Sequence, residues 1–308
     1  MTIATTRSKM LPRFLLLVGL ALLLSTTASG QSSETSDEDM LRISALQALM
    51  DAPADKALPR VQRVLTGNYS DEVKESALFI LSQIETSEAL AVLLDFARQE
   101  DGPLRAEAIQ VIGIAGHTEG LAELKTFYTS GDDHVRQAVL EAYLIADQPG
   151  AVYDLALEAN SEEELSNIVE VLGAMGAVEQ LRRLVGQVDV TEGLINAYAI
   201  AGDYESLREI VEDESDPVQR IRAIEALGLI GSAEARQTLV RTYRSARDSD
   251  VREAAVSGMI IADAEGELLG LYREVDDLRQ KSLLLDGLRV MDSDAVLELV
   301  DEALGEND

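Results

Sequence analysis

The chain has two histidines, His117 and His134, no cysteine, and 56 acidic residues among 308. A zinc site draws three or four ligands from His, Cys and carboxylates. The two imidazoles fall in successive units and could pair only if their loops abut; solvent-exposed capping positions in loops or at helix starts account for them better. Without cysteine there is no thiol nucleophile, and no Gly-x-Ser-x-Gly elbow occurs. Carboxylates are so frequent that spacing alone singles out no acid–base pair. Asp248-Ser-Asp250 and Asp292-Ser-Asp294 begin like calcium loops. Both lack the third ligand, the turn glycine and the closing glutamate, so they read as helix caps. Gly113-Ile-Ala-Gly116 and Gly228-Leu-Ile-Gly231 resemble phosphate loops only in their glycines and read as helix ends. The sequence therefore predicts no catalytic residue, no cofactor and no metal ligand.

Two patterns suit binding better. Leu124-x3-Tyr128, Leu239-x3-Tyr243 and Leu268-x3-Tyr272 set a tyrosine in one register three times. An apolar ring with a polar tip suits an interface, although such rings also wedge between packed helices. Arg236, Arg241, Arg244 and Arg247 crowd one short stretch of an acidic chain. Arg241 and Arg244, three apart, share nearly one helix face. They fit an anionic group on a partner, or Glu and Asp of adjacent segments. Tyr128, Tyr243, Tyr272, Arg241 and Arg244 are the candidate partner contacts.

The elements that carry these residues are helical. From Met40 onward apolar residues recur at spacings of three and four, punctuated by Gly, Pro, Ser and Asp. Self-comparison aligns Leu41–Leu49 with Val73–Leu81 and Leu104–Ile112. Val135-Arg136, Ile221-Arg222, Val251-Arg252 and Leu278-Arg279 open similar segments, and less regular units begin near Glu164 and Val190. Each unit reads as two helices, with Asp71 and Thr86 as caps in the clearest one and Pro103, Pro149 and Pro217 at helix starts. One such pair cannot bury its apolar stripe alone, so about nine pairs must stack.

The repeated Asp-x-Val-Arg-x-x-Ala-x-x-x-Leu-Gly pattern is similar to short HEAT repeats of the bilin-lyase type. Asp71–Ala77 and Asp133–Arg136 show its opening, and Ala108–Gly113 and Ala223–Gly228 its middle. The resemblance implies an all-α, right-handed solenoid over residues 40–304, first helices on the convex side and second helices on the concave side where partners dock. It is weakest over residues 163–217. The di-iron hydroxylases of this repeat class use paired His-Glu dipeptides, and none occurs here. A lyase-like or metal-dependent accessory enzyme with a site between repeats stands as the alternative to a protein-binding scaffold.

Residues 1–30 read as a secretory signal peptide. Arg7, Lys9 and Arg13 precede the apolar run Phe14–Leu24, and Ala28-Ser29-Gly30 offers a cleavage site. The run is shorter than the roughly 20 residues that a spanning helix needs. The expected product is periplasmic or extracellular, with no lipid-modified cysteine and no stable membrane insertion. An acidic lead over 31–39 and a short tail over 305–308 read as disordered. The net charge is −30 and, because residues 1–30 hold three basic and no acidic residues, −33 without them. Such a surface repels nucleic acid, suits a salty exterior, and leaves a protein or a cell-envelope component as the expected partner.

Overall fold

A computed structural model describes residues 36–187, 192–213 and 215–291, together with 295–297 and 299. The signal segment, the start at Val190, Asp292-Ser-Asp294 and the tail lie outside the described residues. The helices, in chain order, are α1 (Asp37–Gln47), α2 (Ala54–Leu65), α3 (Asp71–Ser82), α4 (Ser87–Gln99), α5 (Pro103–Ala115) and α6 (Thr118–Ser130). There follow α7 (Asp133–Ile145), α8 (Pro149–Glu158), α9 (Glu162–Ala174), α10 (Val178–Leu184), α11 (Glu192–Ala201) and α12 (Tyr204–Glu212). The array continues with α13 (Pro217–Ile230), α14 (Ala233–Ser245), α15 (Ser249–Ile261), α16 (Glu265–Glu274) and α17 (Leu278–Val290). Consecutive pairs stack into an all-α solenoid, with α17 opening the ninth unit.

Local chemistry sets the boundaries. Pro103, Pro149 and Pro217 occupy first turns, where a missing N–H leaves no bond unmade. The Thr86 hydroxyl accepts from the Ala89 amide at 3.2 Å and caps α4, and Asp248 accepts from the Asp250 amide at 3.0 Å to cap α15. Ser70, not Asp71, holds the cap position of α3, and Asp71 is its first helical residue. At the N-terminus Ser36 caps α1, whose first turn is Asp37-Glu38-Asp39. The acidic end of the expected disordered lead is thus helical, because carboxylates favour the positive end of the helix dipole.

One backbone feature fixes the repeat register. Gly116, Asp147, Gly176, Gly202, Gly231 and Asp263 all have positive φ and end six successive first helices. Counting back from them, the seventh unit opens at Gln219-Arg220, not at Ile221-Arg222. Leu278 is likewise two residues early: it is 81% exposed, whereas Leu104 and Val135 are each 5% exposed.

The odd-numbered helices pack against one another along the whole array, while successive even-numbered helices meet only sparsely. Small residues bring the odd layer together. A Cβ on Gly113 would lie 2.5 Å from the Ala142 carbonyl oxygen, and one on Gly173 2.9 Å from the Ala197 Cα. In a curved stack the closely spaced layer takes the inside. The odd, first helices therefore line the inner curve, which reverses the placement implied by the resemblance.

Candidate functional site

The three tyrosines sit on even helices and are buried: Tyr128, Tyr243 and Tyr272 are 5%, 2% and 4% exposed. Tyr128 and Tyr272 face the next odd helix, and Tyr243 reaches α17. Arg136 lies over the Tyr128 ring and Lys281 over the Tyr272 ring, at 5.9 and 4.7 Å. The Tyr243 hydroxyl approaches Gln280 Oε1 at 3.5 Å. Burial pushes the Tyr128 and Tyr243 hydroxyls up from their ordinary pKa. These rings are wedges between repeats, which corrects their expected place on a contact surface.

The arginines also lie on the outer, even layer. Arg244 makes a two-pronged pair with Glu274, Nε at 3.0 Å and Nη2 at 2.7 Å. Arg236 reaches Glu267 at 3.3 Å, and Arg241 donates to Thr238 Oγ1 at 2.8 Å. Arg98–Glu123 and Lys125–Glu158, at 2.9 and 2.7 Å, repeat the device. Long side chains thus bridge even helices that stand apart, and Arg244 is committed to its neighbour, not to a concave wall.

His117 precedes α6 without capping it through its side chain, and His134 is exposed in the first turn of α7. Among the described residues no three His, Asp or Glu side chains gather to hold a metal ion. No helix among them is long and apolar enough to cross a membrane.

What the inner wall does present is a row of aliphatic side chains. Ile200, Leu229, Ile261 and Val290 are 56%, 61%, 49% and 63% exposed. Ile200, Leu229 and Ile261 each stand two residues before a left-handed helix end, so they occupy the same place on α11, α13 and α15. Val290 ends α17 in the matching place. Residues three or four apart share a helix face. The carboxylates of the inner face therefore include Glu107, Glu141 and Glu170 in the first half and Glu225 and Asp286 beside the aliphatic row, with Glu75, Glu192 and Glu253 at its margin. Between α9 and α11 the wall dips, lined by Glu162, Ser166, Glu192, Gly193 and Asn196. Burial, then the neighbouring Glu141, raises the Glu107 pKa; burial, then Glu107, raises that of Glu75.

The family model of HEAT repeats matches residues 31–113 and 203–260. Those two stretches are HEAT repeats. Among solved structures, the chain is similar to the complex of CpcE and CpcF of phycocyanin lyase from Nostoc sp. PCC7120, at 17% identity and a TM-score of 0.34. The match covers 75% of this chain and 93% of that one. An engineered protein matches at 18% identity and a TM-score of 0.24, covering 72% and 96%. No curated protein sequence matches.

The sequence hides the aliphatic row, because Leu229, between Gly228 and Gly231, reads simply as part of a helix end. The available signal was the apolar type itself, at a place where the register turns the side chain to solvent.

Proposed function

We propose that this protein is a non-enzymatic scaffold, working in the periplasm or outside the cell, that holds another polypeptide against the wall of odd helices. The observation that carries the reading is the row Ile200, Leu229, Ile261, Val290. Single exposed aliphatics are ordinary, but a row repeated on four adjacent helices is a contiguous apolar strip of the kind that marks an interaction surface. Fully burying one such side chain contributes about 1.5–3 kcal/mol, so covering half-exposed ones yields a useful fraction of that at each position. HEAT arrays generally serve as extended docking surfaces for proteins. The location rests on the basic, apolar and small-residue parts of residues 1–30.

Photo-crosslinking tests the reading. A photoreactive side chain replacing Leu229 or Ile261 should give a discrete protein adduct in cells, and one replacing Arg241 on the outer layer should not. Adducts absent from both inner positions overturn the scaffold reading. N-terminal sequencing tests the location: a product starting near Gln31 is expected, and one still carrying Met1 in the membrane overturns it.

A further inference from the structure

The chemistry of the inner wall narrows the partner. The aliphatic row runs beside carboxylates on the same odd helices: Glu192 on α11, Glu225 on α13, Glu253 on α15 and Asp286 on α17, all exposed. Arg222 is the cation of α13 on this face and pairs with Glu192 at 2.9 Å, and on α17 Arg289 pairs with Asp286 at 3.6 Å, which leaves Glu225 and Glu253 as the open carboxylates beside the row. Towards the N-terminus the carboxylates continue with Glu170, Glu141, Glu107 and Glu75. At Glu107 and Glu75 burial first, and the neighbouring carboxylate after it, raises the pKa. A strip that is apolar along one line and acidic beside it is complementary to a segment that is apolar along one line and basic beside it.

Resting on the scaffold reading above, we infer that the wall from α11 to α17 docks a cationic amphipathic segment of a partner protein. Its apolar side chains cover Ile200, Leu229, Ile261 and Val290, and its Lys or Arg side chains face Glu225 and Glu253. Neighbouring helices lie about 8–10 Å apart. The partner's apolar residues therefore recur at close to that interval, which a helix approaches with one residue in seven, about 10.5 Å at a 1.5 Å rise. A second copy of this chain does not fit, since two surfaces of this charge repel. An anionic polymer is excluded on the same ground.

The test uses the purified protein and a fluorescein-labelled synthetic peptide of Lys and Ala with Leu at every seventh position. Two control peptides complete the set, one with Leu replaced by Ala and one with Lys replaced by Glu. Fluorescence anisotropy should show the Leu/Lys peptide binding at least tenfold more tightly than either control, and more weakly as salt rises. The deciding variant is Leu229→Glu/Ile261→Glu. If bulk charge alone draws the peptide, two added carboxylates strengthen binding; if the row is the docking line, binding weakens at least tenfold. Circular dichroism should show that the exposed positions tolerate the change. As a second variant, Glu225→Lys/Glu253→Lys should weaken binding and flatten its salt dependence. Stronger or unchanged binding by Leu229→Glu/Ile261→Glu overturns the inference, as does equal binding of the Ala control. The two readings fail separately. Crosslinks at 229 to a partner whose contacting segment is acidic leave the scaffold standing and remove the cationic segment, whereas no crosslinks at all remove the scaffold itself.

Discussion

Gly228 on α13 lies so close to Gly258 on α15 that a methyl group on the first would sit 2.5 Å from the carbonyl oxygen of the second and 2.9 Å from its Cα. Backbone has no rotamer with which to move aside. Gly228→Ala should therefore destabilise by about 1–3 kcal/mol despite its better helix propensity. Gly270, inside α16, meets nothing within 4 Å of an added Cβ. Gly270→Ala should accordingly stabilise by up to about 1 kcal/mol. Urea denaturation of the two variants reads the contrast, and like signs would show that the odd layer is not packed backbone to backbone.

Ala108 and Ala223 occupy equivalent places on α5 and α13 and are fully buried. An aspartate at either would hold a carboxylate among apolar neighbours with no partner within reach. Ala108→Asp and Ala223→Asp should each cost about 4 kcal/mol or more, visible as a large fall in melting temperature. An unchanged melting curve in both would mean that the register is wrong.

Arg182 on α10 donates from Nε to Asp203 Oδ2 at 2.8 Å, and the Ser206 hydroxyl donates to the same oxygen at 2.6 Å. Asp203 is almost wholly buried and also caps α12. Burial alone would raise its pKa, but the hydrogen bonds from Arg182 and Ser206 outweigh it and hold the carboxyl below 3.8. A depressed carboxylate pKa stabilises the fold above the unfolded value, and that contribution is lost as pH falls through the folded one. Asp203→Ala should thus cost about 2 kcal/mol at pH 7, with the gap to wild type closing below about pH 4. A gap independent of pH would detach the pair from stability.

Glu107 carries the opposite sign. Its folded pKa is raised above 4.5 by burial and by Glu141, so the folded state binds the proton more tightly than the unfolded one. Stability from this group is present at low pH and is lost as pH rises through the raised value. Glu107→Gln should melt higher than wild type at pH 7 and level with it at pH 4. A variant less stable at pH 7 would show the carboxylate to be a favourable partner.

The paired helices, the stacking, the proline starts and the small residues at Ala108 and Ala223 were legible because each is written in local spacing. Three matters were not. Leu-x3-Tyr reads identically whether the ring faces solvent or the next repeat, and Tyr128, Tyr243 and Tyr272 take the second course. The opening Leu278-Arg279 copies Leu104-Arg105 in type, yet its helix enters the stack two residues later. Which layer lines the inner curve was also hidden, since it depends on what Gly113, Gly173 and Gly228 meet on the following helix and not on their own segment.

The two layers differ in how they are joined, and this gives the array a mechanical character. The odd layer, in backbone contact at Gly113–Ala142 and Gly228–Gly258, can neither shorten nor slide. It is the unstrained line about which the rod flexes. The even layer is tied from rung to rung by exposed pairs such as Arg98–Glu123 and Arg244–Glu274, whose attraction fades as ions screen them. Flexing must therefore occur by spreading or closing the outer rungs, and the rod softens in concentrated salt while its inner line keeps its length.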